Sequence, residues 1–249
     1  MLRLPWNMPR PSSSPKLEPA KYDLVLLHAR LHCEDAEWSL ALVQSLARFP
    51  VWLQERVRRQ HRLADRCAQI LDKWLLLKAL DCMGVSDATL DNLKYDAFGR
   101  PSMQTGPGYD FSLSHSGNFV ACVVGRQGRV GVDVELLREI RSSDFAEVFA
   151  ESAWKRLEQQ GDSREAFFRE WTQLEAVLKA DGRGMSVVPG AVECDGRRAY
   201  LSGELHQCWF LHEVVLDSDY SCHIAGIEEN PRILSRTCVW NETELRLEP

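Results

Sequence analysis

Residues 129–135, RVGVDVE, carry two carboxylates where a purely structural strand has no use for them. In an extended segment successive side chains point to opposite faces, so Val130, Val132 and Val134 share one face and Gly131, Asp133 and Glu135 the other. The valines suit a core. Two carboxylates about 7 Å apart on one strand face repel each other, and a divalent cation between them reverses the balance, because hard cations bind through carboxylate oxygens. The plainer reading is an exposed strand edge with solvated charges. A third carboxylate lies forty-two residues beyond Asp133, in FFREWTQLEAVLKADGRG. A helical period there gives Phe167, Phe168, Trp171, Leu174, Val177 and Leu178 a broad apolar face, while Trp171, Glu175 and Lys179 recur every four residues along one stripe. Glu175 and Lys179 are therefore neighbours. Alone they would make an exposed ion pair of a few tenths of a kcal/mol.

The elements that must position these groups can be read on either side. The stretch FSLSHSGNFVACVVG alternates apolar and polar residues around Ser116-Gly117-Asn118, the pattern of a β-hairpin, with Ser114 and His115 near its tip. Upstream, YDAFGRPSM is a loop punctuated by Gly and Pro that holds Arg100 between Gly99 and Pro101. Before it, a basic run with Arg56, Arg58, Arg59, His61, Arg62 and Arg66 leads into an apolar helix that Gly84 ends. Those arginines are either a solvated helix face or an anion cradle. A strand is expected over 22–27 and helices over 37–48, 143–159 and 163–180. Two late strands, over 207–216 and 220–227, flank the turn Asp217-Ser218-Asp219. Helices mixed with hairpins on both sides of 125–128 give an α+β fold of two similar-sized α/β subdomains. The first spans 21–126 and the second, with the carboxylate strand and its helix, 127–249.

The totals narrow the function classes. A chain of 249 residues can bury a sizeable core without disulfides or structural metal. Its net charge of -6 argues against a general nucleic-acid binder, so any phosphate site must be local. The eight cysteines have no zinc-like spacing and read as reduced thiols. The cluster His28, His32 and Cys33 looks like a strand entering a loop rather than a ligand set. The first twenty residues hold five prolines and three successive serines, a composition expected to be a flexible tail. With no apolar run of membrane-spanning length and no signal-peptide core, the expected location is cytoplasmic.

Taken together, VGVDVE and WTQLEAVLKADGRG at this separation resemble the paired signature of the Sfp-type phosphopantetheinyl transferases, a GxDxE strand and a W-[ST]-x-K-E-[AS]-x-x-K helix. The upstream FGRP loop and FSLSHSG hairpin match that family in order and spacing. The resemblance runs from about residue 56 to the final strands. It implies a pseudo-twofold arrangement of the two subdomains, a two-half plan that is expected to be monomeric, and transfer of 4'-phosphopantetheine from coenzyme A to a serine hydroxyl of an apo acyl or peptidyl carrier protein. Adenosine 3',5'-bisphosphate would be released. It further implies that Asp133, Glu135 and Glu175 ligate Mg²⁺ and that Lys179 contacts the pyrophosphate. Glu175 would act as base, Arg100, Ser114 and His115 would hold the nucleotide, and Arg56 would meet the 3'-phosphate. Three positions depart from the pattern: Leu174 replaces the motif lysine, Ala153 a frequent glutamate, and Ala68-Gln69 an Arg-Thr pair. They motivate an alternative, a homologue that binds coenzyme A or a carrier protein without turnover.

Overall fold

Residues 119–126, FVACVVGR, are buried almost from end to end, and the first of two five-stranded sheets is built around them. The structure, a computed structural model, describes residues 21–104, 108–140, 147–160, 163–188, 190–201, 208–241 and 243–248. The tail expected over 1–20 and the start of the helix expected at 143 lie outside the described residues. In chain order the elements are β1 (Leu24–Arg30), α1 (Ala36–Ser45), α2 (Val51–Arg58), α3 (Leu63–Cys82), β2 (Leu93–Tyr95) and β3 (Pro101–Met103). Then come β4 (Tyr109–Ser116), β5 (Phe119–Arg126), β6 (Gly131–Leu136), α4 (Glu151–Gln159) and α5 (Arg164–Asp181). The chain continues with β7 (Val192–Asp195), β8 (Arg198–Leu201), β9 (Cys208–Glu213), β10 (Tyr220–Gly226), β11 (Ile233–Asn241) and β12 (Glu244–Leu247).

The first sheet has the order β12-β11-β1-β5-β4 and the second β6-β10-β9-β8-β7, while β2 and β3 form a small ribbon. The alternation along β5 explains the layering. Val120, Cys122 and Val124 join the core under α3. Phe119, Ala121 and Val123 turn the other way and meet Val132, Val134, Cys222 and Ile224 of the second sheet. The second sheet covers its far face with α5, around Phe167, Phe168, Val177 and Trp209. Helix, sheet, sheet and helix are thus stacked, and the mixed α/β character expected of the sequence is present. β11 pairs parallel to β1 and β12 follows it, so the last two strands, which chain order groups with the second half, complete the first sheet.

Local chemistry sets the elements that matter most. α5 begins where the Ser163 hydroxyl accepts from the Ala166 N–H and ends at Gly182, whose φ of 94° is left-handed. Gly131 lets α5 lie directly on β6: a Cβ there would stand 2.6 Å from the Ala180 nitrogen and closer still to the Ala176 carbonyl oxygen. Leu174 and Ala153, two of the departing positions, are buried in the core beneath α5.

Candidate active site

β4 and β6 are edge strands of different sheets, and they lie side by side. An edge strand leaves N–H groups unpaired, and here side chains of β4 take them. Val130 N donates to Asp110 Oδ2 at 2.8 Å, Val134 N to Ser114 Oγ at 3.3 Å, and Leu136 N to Ser116 Oγ at 3.2 Å. The two serine hydroxyls donate in turn to the carboxylates between those positions. Ser114 bonds Asp133 Oδ1 at 2.9 Å and Ser116 bonds Glu135 Oε2 at 2.6 Å. Tyr220 closes the seam by accepting the Asn118 N–H at 2.9 Å, which pins the β4–β5 turn to the second half.

Ser114, His115, Asp133, Glu135, Glu175 and Lys179, six of the eight expected residues, line one cleft of about 380 Å³ with Leu113 and Trp171. Lys179 Nζ sits 2.7 Å from Asp133 Oδ1 and 2.8 Å from Ser114 Oγ. Asp133 is only 3% exposed, and its Oδ2 is buried without a hydrogen-bond partner among the described residues. Burial pushes the Glu135 carboxyl above its ordinary range, against the pull of the Ser116 hydroxyl. Burial raises Glu175 too; Lys179 opposes the shift, while Asp133 and Glu135 add to it. Among the described residues no three His, Cys, Asp or Glu side chains form a ready-made cation cage. The donor set nevertheless suits a hard cation. Three carboxylates line one cleft, and Asp133 pairs with the Lys179 ammonium through Oδ1 while its Oδ2 has no hydrogen-bond partner among the described residues.

The two remaining expected residues sit elsewhere. Arg100 lines an adjoining cleft of about 240 Å³ that shares Leu113 and Lys179 with the first. Its guanidinium is already engaged: Nη1 and Nη2 bond Asp110 at 2.9 and 2.6 Å, Nε bonds the Lys179 carbonyl oxygen at 2.9 Å, and Nη2 reaches the Val130 carbonyl oxygen at 3.3 Å. Arg100 therefore clamps the first half to the C-terminal end of α5. Arg56 is exposed on α2, with its guanidinium 4.2 Å from the centre of the Tyr95 ring, and lines neither cleft.

Several contributors are not singled out by sequence reasoning. Asp110 and Ser116 act through the contact of two edge strands, and Tyr220 of β10 through the turn beside it, which no local pattern reveals. Behind the site, His223 lies opposite Asp133 in the ladder of β6 and β10 and is 1% exposed. Its partners fix its tautomer: Gln173 Nε2 donates to His223 Nε2 at 3.4 Å, and His223 Nδ1 donates to Thr172 Oγ1 at 2.8 Å. The Thr172 hydroxyl passes its own proton to the Phe168 carbonyl oxygen at 2.7 Å. Burial lowers the His223 pKa to about 3, so the ring is neutral and ties α5 to β10 by hydrogen bonds alone.

The chain is similar to known proteins. A family model, the 4'-phosphopantetheinyl transferase superfamily, matches residues 129–225, which contain β6 and α5. The chain is 22% identical over 187 residues to the 4'-phosphopantetheinyl transferase Sfp of Bacillus subtilis, covering 74% of this chain and 79% of that one. It is 28% identical over 182 residues to a putative 4'-phosphopantetheinyl transferase of Haemophilus influenzae, 70% of this chain and 74% of the other. A third relative, 4'-phosphopantetheinyl transferase AcpT of Salmonella typhi, is 33% identical over 114 residues, 44% of this chain and 58% of its own. The three carboxylates and the lysine of the cleft all lie inside the region, 129–225, that is similar to the 4'-phosphopantetheinyl transferase superfamily.

Proposed function

We propose that the protein transfers 4'-phosphopantetheine from coenzyme A to the serine hydroxyl of an apo acyl or peptidyl carrier protein, as an Sfp-type, Mg²⁺-dependent enzyme that releases adenosine 3',5'-bisphosphate. The observation that carries the reading is the cleft that holds Asp133, Glu135, Glu175 and Lys179 together, with Asp133 Oδ2 unpartnered. Asp133, Glu135 and Glu175 would hold the cation, which supplies charge neutralisation at the phosphate under attack. Lys179 would leave Asp133 for a pyrophosphate oxygen, acting as a point charge. Glu175, whose carboxyl burial raises above its ordinary range, would take the proton of the carrier serine. Ser114 and His115 line the same cleft and would meet the nucleotide, with Arg100 in the adjoining cleft and Arg56 reaching the 3'-phosphate. Two five-stranded sheets, each under one long helix, support a pseudo-twofold relation between two halves divided near residue 127. The same plan supports a monomer. Among the described residues no helix is long and apolar enough to cross a membrane.

The test is incubation of the protein with coenzyme A, Mg²⁺ and a panel of apo carrier proteins. The expected result is the mass gain of one phosphopantetheinyl group on at least one carrier, lost when Mg²⁺ is chelated. No gain on any carrier would overturn the assignment. Burial of Leu174 where the motif has lysine favours one other reading, a homologue that binds without turnover. Calorimetry separates the two, since a binder takes up coenzyme A but modifies no carrier.

A further inference from the structure

In the β4–β6 seam each serine commits one oxygen of a carboxylate and leaves the other. Asp133 Oδ1 is occupied twice, by Ser114 Oγ at 2.9 Å and by Lys179 Nζ at 2.7 Å, whereas Oδ2 is buried and unpartnered. Glu135 Oε2 is taken by Ser116 Oγ at 2.6 Å. The spacing is the same on both strands. Ser114 and Ser116 stand two residues apart on one face of β4, as Asp133 and Glu135 do on β6, so the two hydroxyls reach the two carboxylates as matched rungs. Each hydroxyl is held in place from behind, because it accepts the next N–H of β6, from Val134 or Leu136. A hydroxyl that accepts from a fixed amide has its proton free to point at one carboxylate oxygen only.

We infer that Ser116 is a positioning residue for the proposed cation site, with Ser114 its counterpart: the pair commits one oxygen of each ligand and leaves the other, Oδ2 of Asp133 and Oε1 of Glu135, for the cation. This inference rests on the metal reading given under Proposed function. A carboxylate whose second oxygen is hydrogen-bonded is held in a one-oxygen binding mode and is oriented before the ion arrives. Ser116 is the cleaner of the two to test. Ser114 also receives Lys179 and lines the cleft, whereas Ser116 touches Glu135, Leu136 N and nothing else that the chemistry uses.

The experiment is Mg²⁺ titration of the full chain by calorimetry, for the wild type and for S116A, S116C and S116T, with coenzyme A affinity measured without metal as the control. S116A and S116C are expected to bind Mg²⁺ about tenfold more weakly. S116T, which keeps the hydroxyl on a strand that tolerates branching, should bind within about twofold of the wild type. Affinity for coenzyme A without metal should be unchanged in all three. A role confined to capping the edge strand would lower the melting temperature of S116A and S116C but leave their Mg²⁺ affinity at the wild-type value, and that result would overturn the inference. S116C differs from serine by a single atom and keeps the test open if S116A folds poorly. If the wild type itself takes up no Mg²⁺, with or without coenzyme A, the metal reading falls and this inference with it. If the wild type binds and S116C matches it, only the inference falls.

Discussion

Lys179 joins two parts of the site. Its ammonium pairs with Asp133 while its carbonyl oxygen holds the Arg100 guanidinium, so one residue connects the proposed metal ligands to the proposed nucleotide cleft. Glu175, one helical turn earlier, is where the mechanism is most exposed to test. E175Q keeps the shape and removes the base, and carrier modification should fall by about 10² to 10⁴ in single-turnover rate. A variant within threefold of the wild type would remove Glu175 from the role. His223 permits a separate test of stability. Its pKa, lowered from 6.5 to about 3 by burial, means that the unfolded chain takes up a proton which the folded protein refuses. The stabilisation is therefore complete above about pH 6.5 and is lost as pH falls toward about 3, by on the order of a few kcal/mol in all. His28, lowered to about 4 by its own burial, adds to the same slope. Urea melts between about pH 7 and about pH 4 should show stability dropping with acid, and H223Q should flatten that slope. Equal slopes in the two proteins would show that His223 does not carry the effect.

Among the elements, α5 was the most legible. Its apolar period places it over 163–180, within a residue of the observed Arg164–Asp181, and its stripe of Trp171, Glu175 and Lys179 does border the cleft. The hairpin of β4 and β5 was equally plain, since its alternation and its Ser-Gly-Asn turn are local signals. The seam between β4 and β6 was not legible, because it depends on which sheet edges meet, and that is settled by packing between distant segments. The role of Gly131 was hidden for the same reason. In the sequence it is one member of a polar strand face; in the fold it is where a helix backbone touches a strand backbone. G131A should force α5 away from β6. A shift of about 1 Å at Glu175 and Lys179 costs on the order of 10² in rate, and the overpacking costs about 1–3 kcal/mol in stability. Thermal melts and the carrier assay on G131A check both, and a variant unchanged in each would contradict the close packing described above.

Across the whole molecule, chain order and spatial order part company after β10. The sequence divides naturally at the Gly-rich turn near 127, and the two long helices do fall on either side of it, yet β11 crosses back to lie between β12 and β1. A segment comprising residues 21–128 contains α3 and β5 but lacks Leu234, Cys238, Trp240 and Leu245, all buried in the α3 core. It should therefore show little protection from hydrogen exchange when produced alone, and adding a peptide of residues 229–248 should restore some. A cooperatively melting fragment would show instead that the first half is self-sufficient. The pairing of Leu24 with Ile233 also sets an order of events in time. It closes a loop of about two hundred residues, a slow step in folding even though loop entropy grows only with the logarithm of length. On a ribosome, one side of β1 has no partner until Ile233 and the strand it begins have emerged. The carboxylates and the nucleotide cleft would come into register only then, so a chain cut short before residue 233 should be inactive although every proposed site residue has already been made.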